Sequence, residues 1–339
     1  MTGIEAGKTW SRIGPEVAPT ASVASGVWLL NEYSENQGAG TWPNPYFGAG
    51  FVAGGETSGS VQQTRVDKFE FPTDDRSTLG TGISLATYGL AGFSNSGTAG
   101  YTAGGVSGSD TNVTRVDKFT YPGNTRTTLG TGLSNAIFYT SGMGNSGVAG
   151  YISVGGQGNN TVDKFAFPSD SRTSLSTGLS QSVWQTAAMS SSGVAGYFTG
   201  GRNSNGVSQT NVDKFAFPSD SRSSLGTGLS AGNYLGAAMA DSGTAGYVGS
   251  GNSLFQTINK FAFPSDARTT LSATLTSGLW IAAGMENKGT AGYFAGGYDG
   301  TPFISTVDKF AFPGDTKTTL STGLSVPTGY SASFSDANI

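Results

Sequence analysis

The side chains available for chemistry in this chain are carboxylates, phenols, indoles, hydroxyls and the cationic groups of Lys and Arg, because its 339 residues include neither histidine nor cysteine. That composition excludes the usual zinc ligand sets, His-ligated copper, Ser-His-Asp catalysis and any disulfide framework. It also removes the side chain that most readily exchanges a proton near neutral pH. Among the carboxylates, Asp67, Asp117, Asp163, Asp213 and Asp308 recur at one place in a repeated phrase, with Asn259 in the remaining copy. An acid–base centre needs asymmetry and carboxyls whose environments differ. A decoration repeated in nearly every copy points instead to structure, through a bond to a neighbouring Arg or a backbone amide. Asp74-Asp75 sits in a turn, where solvated carboxylates are ordinary. The single acid of Tyr298-Asp299-Gly300 is a weak signal for calcium. The expectation is no catalytic residue, no metal, no cofactor and no enzymatic activity.

The phrase itself reads Val66-Asp67-Lys68-Phe69-Glu70-Phe71-Pro72 and returns at Val116, Val162, Val212, Ile258 and Val307, at intervals of 46 to 50 residues. Such a period, with 54 glycines and many Ser, Thr and Asn residues, is the signature of stacked β-sheet blades joined by tight turns. One unit contains Tyr101-Thr102-Ala103-Gly104-Gly105, a polar loop, Val116 to Pro122, a turn and Arg126 to Leu129. A linker and the stretch Ile137 to Met143 follow, ending in the turn Asn145-Ser146-Gly147. This reads as four strands, A to D, with the A–B turn at Asn-Ser-Gly and the C–D turn after the proline. Apolar residues of strand C fall on both parities, Val116 on one and Phe119 and Tyr121 on the other, as a strand buried on both faces requires. The start of strand C and the next strand B are always 35 residues apart, whereas the B–C segments vary from 5 to 10. Variation confined to one loop marks the face on which a repeat scaffold carries function.

The two ends imply closure. The first unit starts at strand B, Phe51-Val52-Ala53-Gly54-Gly55, and the last runs beyond strand D into Leu324 to Ala332, which reads as strand A. The C-terminal strand then completes the first blade. The expected fold is all-β: a ring of six four-stranded blades over residues 47 to 339, preceded by an extended attachment segment over residues 1 to 46. Closure removes open edges.

Gly-Gly, an aromatic strand and an Asp-containing turn together resemble the kelch repeat of β-propellers. One departure is systematic: the Trp usual in kelch units, seven residues after the strand C aromatic, is here Arg76, Arg126, Arg172, Arg222, Arg268 or Lys317. The cation either stacks on Phe71 and its equivalents or pairs with the strand C Asp. Each unit also places an aromatic at the start of strand A: Tyr88, Phe138, Trp184, Tyr234, Trp280, and Tyr330 one place out of register. D–A and B–C loops share one face of a propeller, so these rings either surround the channel mouth as a stacking platform for sugars or a partner, or serve inter-blade packing.

In residues 1 to 46, Trp28, Leu29, Tyr33, Trp42 and Pro43 stand out in a segment too short for its own core. This arrangement resembles a Trp-x-Leu-x-Glu-(Tyr/Phe) … Trp-Pro element of virion proteins from tailed phages, particularly those of marine cyanobacteria. The repeats ending in Lys-Phe-x-Phe-Pro-Ser-Asp-x-Arg resemble proteins of the same source. The resemblance implies a multicopy virion protein held by its N-terminal segment to other virion proteins, with a host-surface glycan or receptor as the outward partner. A lectin-like adhesin is the alternative. A net charge of −4, with charged residues at 12%, offers no basic stripe for nucleic acid. No apolar run is long enough to insert in a membrane. The first eight residues lack the pattern of a signal peptide, so synthesis in the host cytoplasm and residence on the particle are expected.

Overall fold

The computed structural model describes residues 48–155, 159–300 and 302–337, with the backbones of Gly3–Glu5 and Lys8–Trp10. Met1–Phe47 and Gly48–Ile339 are separate compact units. In the first, Gly3–Glu5 pairs antiparallel with Lys8–Trp10. Trp28, Leu29, Tyr33, Trp42 and Pro43 lie outside the described residues.

The second unit is a β-propeller of six four-stranded antiparallel blades. Blade 2 shows the plan: A is Ala91–Asn95, B Ala99–Ala103, C Val116–Thr120 and D Thr125–Thr128. In blade 1, strands B, C and D are Gly48–Ala53, Val66–Glu70 and Asp75–Thr78, and strand A is Ala332–Ala337 from the other end of the chain. Strand A pairs with B in the register Phe51↔Phe334, so the expected closure is present. Strand A begins later than the sequence reading placed it: Gly142–Asn145 in blade 3, and Ala332 rather than Leu324 in blade 1. The cause is a residue held at positive φ shortly before each strand A, such as Tyr139 at 56° and Tyr330 at 58°, where an extended run cannot pass.

Strand C is buried on both faces, and strand D is short, polar and exposed apart from its Arg or Lys. A short, charged outer strand discourages edge-to-edge pairing. The core is the set of contacts between blades. Phe93, Tyr101 and Val116 of blade 2 meet Ile152 and Phe165 of blade 3 in one cluster. The strand B aromatic stacks on the residue before the next blade's proline, Tyr101 on Phe167 at 5.4 Å and Tyr151 on Phe217 at 5.1 Å.

Two polar staples repeat around the ring. In the first, the strand C Asp holds the linker from the preceding blade. Asp163, fully buried, accepts from the Ser134 amide at 2.7 Å and the Ser174 hydroxyl at 2.7 Å, with Arg172 at 3.6 Å. Asp67 does the same for Ser325, and Asn259 for Ser230. The repeated acids are therefore structural, and Arg172 and Arg222 pair with them in the place of the kelch Trp.

The second staple joins a strand B Tyr and strand C Lys to the C–D turn Asp of the next blade. Tyr101 donates to Asp170 at 2.8 Å and Lys118 pairs with the same carboxylate at 2.6 Å. Burial, then the carboxylate, pushes the Tyr101 hydroxyl up, so it stays a donor across the physiological range. These turn acids sit at positive φ, 55° at Asp170, a conformation that Asp and Asn tolerate. The junction from blade 1 to blade 2 lacks this staple. Phe51 replaces the Tyr, Asn124 the Asp, and Lys68 pairs with Glu70 of its own strand at 2.6 Å. The buried Asn124 Oδ1 has no hydrogen-bond partner among the described residues.

Candidate functional site

The Gly-Gly pairs that end strand B build one face of the propeller. Gly54 and Gly55 have φ of 65° and 91°, and the turn aims the Gly55 N–H at the Thr87 carbonyl in the linker to the next blade, at 2.8 Å. Gly105 to Ile137, Gly201 to Asn233 and Gly297 to Thr328 repeat the bond. The variable B–C loops and the D–A linkers are thereby fixed on the same face, as the propeller plan predicts.

At the centre of this face six residues close a ring. The amide of Tyr139 donates to Gly89, Gln185 to Tyr139, Leu235 to Gln185, Ile281 to Leu235, Tyr330 to Ile281 and Gly89 to Tyr330, all at 2.7–3.1 Å. Each has positive φ, from 55° at Ile281 to 69° at Gly89. The five that are not glycine each hold a conformation costing roughly 1–2 kcal/mol, and such strain concentrates at functional positions. These six residues, with the one following each, border the channel mouth.

The aromatics singled out in the sequence sit mostly one step outside this ring. All six are half-buried. Tyr330 is in the ring itself. Tyr88, Tyr139 and Tyr330 form a triangle of ring contacts at 5.0–6.1 Å. Phe138 extends it at 4.5 Å on one side, and Phe303, Tyr298 and Trp280 continue it on the other at 5.9–6.3 Å. Burial raises the Tyr88, Tyr139 and Tyr330 hydroxyls above their ordinary value, with Glu56 adding in the same direction. At neutral pH they are protonated hydrogen-bonding groups. Tyr234 instead carries the Arg202 guanidinium over its ring at 5.3 Å.

Phe138 and Trp184 also line a cavity of about 570 Å³ bordered by Asn112, Asn159 and Arg202 from the B–C loops of blades 2, 3 and 4. Asn112, Asn135, Gln185 and Arg202 supply its polar groups. Trp184 is set beside Arg202 by a short antiparallel pairing. The Gln185 Oε1 atom is buried without a hydrogen-bond partner among the described residues, an unmet acceptor of the kind a ligand hydroxyl satisfies. Two flat rings with amides and a guanidinium can stack on a sugar face and bond its hydroxyls. Sequence reasoning missed Tyr139, Gln185, Arg202, Tyr298 and Phe303. Tyr139 and Tyr298 adjoin a Phe and a Gly-Gly pair, a signal available from the text; the channel position of Gln185 has no such signal.

Comparison with protein families finds no match, and none of the curated proteins matches. Among solved structures, that of YjhT superposes with a TM-score of 0.63 at 12% identity, covering 81% of this chain and 99% of that one. At that identity the likeness shows the fold alone. Propellers include sialidase-like enzymes as well as binding modules. The expectation that the chain is not an enzyme is corrected on that ground: carboxyls and phenols remain available where His and Cys are lacking. The propeller fold is consistent with a protein-binding role.

Proposed function

We propose that this chain is a tailed-phage virion protein whose propeller presents the B–C loop face to a host surface. The observation that carries this reading is the gathering of Tyr88, Phe138, Trp184, Trp280 and Tyr330, with Arg202 and Gln185, on the one face that also bears all the loop variation. The phage assignment rests on the Trp28 to Pro43 element and the repeat text. In this reading residues 1 to 46 dock on other virion proteins, and several copies acting together raise a weak contact to useful avidity. The glycan-binding alternative is favoured by the cavity between Phe138 and Trp184, whose unmet Gln185 acceptor suits a sugar hydroxyl.

Deleting residues 1 to 46 is expected to release the protein from particles while leaving a folded propeller by circular dichroism. Full occupancy of particles by the truncated chain would overturn the docking role. For the outward face, Trp184→Ala is expected to lower binding to host cells or a glycan array at least tenfold, the loss of about 1.4 kcal/mol of stacking. Unchanged binding by both Trp184→Ala and Trp280→Ala would remove this face from the account.

A further inference from the structure

The central channel below the mouth is lined by strand A residues of all six blades, and nearly all are small: Gly92 and Ser94, Gly142 and Gly144, Ala188 and Ser190. The size limit is steric. A Cβ on Gly92 would lie 1.8 Å from the Ser333 carbonyl oxygen, because neighbouring strands A press together around the axis. Blade 6 breaks the rule, with Glu286-Asn287-Lys288 where blade 2 has Ser94-Asn95-Ser96. Glu286 and Lys288 are the ionisable residues lining the channel among those described.

Glu286 occupies a defined place in a chain of bonds between strands A. The Glu286 amide donates to the Ser335 hydroxyl oxygen at 3.0 Å, and the Ser335 amide to that of Ser94 at 2.8 Å. The Glu286 carboxylate takes the same role one blade earlier, accepting the Ala240 amide. A carboxylate offers about four acceptor directions, and no Lys or Arg lies within ion-pairing distance of this one among the described residues. It faces a cavity of about 180 Å³ edged by serine hydroxyls, which has room for an ion with water.

We propose that the channel is a monovalent cation site, with the Glu286 carboxylate supplying the charge and the channel-lining hydroxyls of Ser94, Ser190 and Ser333 supplying neutral oxygen ligands. One carboxylate balances one positive charge. A calcium ion wants six to eight oxygens, ordinarily with several carboxylates among them, and Glu286 is the single carboxylate lining this channel among the described residues. Lys288, on the same side of the strand two residues on, weakens the site by repulsion. Burial, the larger influence, holds the empty Glu286 carboxyl up at about 7, so the site is charged above that pH.

The test is thermal unfolding of the full chain at pH 8 in sodium or potassium chloride against tetramethylammonium chloride of equal ionic strength. The melting temperature is expected to rise with sodium or potassium over tetramethylammonium, and the rise to vanish in Glu286→Gln and at pH 5. In Lys288→Gln the concentration giving half the rise is expected to fall several-fold. In tetramethylammonium the wild-type chain should lose stability as pH climbs from about 4.5 toward 7, since the folded state holds the Glu286 proton more tightly than the unfolded one. Equal melting in all three salts, an undiminished response in Glu286→Gln, or tighter binding of calcium than of sodium and potassium would overturn the assignment. None of these readouts depends on the loop face.

Discussion

A chain ended after Tyr330 is expected not to form the closed monomeric propeller. The lost segment, Ala332–Ala337, is strand A of blade 1 and pairs along its length with Gly48–Ala53. Its Phe334 lies between Phe51 at 4.9 Å and Phe119 at 5.5 Å, all three buried. Losing one such ring costs about 3–5 kcal/mol. Losing the strand also bares Phe51 and turns strand B into an open edge that invites pairing with another chain. The total approaches the 5–15 kcal/mol that ordinarily separates folded from unfolded. The blade 1 to blade 2 junction, without its Tyr–Asp–Lys staple, offers nothing in compensation. Size-exclusion chromatography should show oligomers or aggregate, with a melting transition lost or much lowered. Phe334→Ala, a milder change, should keep the ring and lose about 3–5 kcal/mol in denaturant unfolding. A truncated chain that remains monomeric with an unchanged melting temperature would contradict this.

Asp163→Ala is expected to cost about 3–5 kcal/mol, the usual result of removing one partner from a buried ion pair. The change strands the Ser134 amide, the Ser174 hydroxyl and the half-buried Arg172 guanidinium together. The chain contains its own control. In blade 5 the Asp is Asn259, whose Oδ1 still accepts the Ser230 amide at 3.0 Å and Arg268 at 3.3 Å. Asp163→Asn should therefore lose only about 1–2 kcal/mol, since it keeps the acceptor and gives up the charge. Chemical denaturation of the two variants side by side separates them. Equal losses would mean that charge, rather than linker capture, dominates the staple.

The blade was legible because its signals are carried by side chains that pack: the Val, Phe and Tyr of strands B and C, and turn residues with one permitted conformation. Closure was legible because the first unit begins at strand B and the text after the last strand D reads as a strand A, although the strand itself is Ala332–Ala337. Strand A was misplaced because it is mostly Gly, Ala and Ser around one Phe or Met, and because the positive-φ residue that delays its start has no mark in the sequence. The five non-glycine members of the mouth ring carry no mark of positive φ in their residue types, and Ile281 argues against it. Tyr139 and Gln185 were therefore invisible as channel residues, whereas Tyr330, one of the six aromatics singled out in the sequence, lies in the ring. The Tyr101–Asp170 staple spans 69 residues, beyond the reach of a local reading. Its trace is nonetheless in the text, because Phe51, Asn124 and Glu70 depart together from the other copies. Glu286 was equally findable as the one acid where the aligned strands A have Gly, Ala or Ser.

Ring closure by the C-terminal strand fixes which face gathers the loops and what the channel contains, and a crosslink tests it most directly. Val52 and Ser333 are cross-strand partners in blade 1, and the chain has no cysteine to interfere. With Val52→Cys and Ser333→Cys together, a disulfide joining positions 52 and 333 within a single chain is expected under mild oxidation. Peptide mass spectrometry would detect it, and the oxidised monomer should be more stable than the reduced one by up to about 5 kcal/mol, the value for a very long closed loop. Free thiols in a folded monomer, or crosslinks found only between chains, would contradict the closed ring.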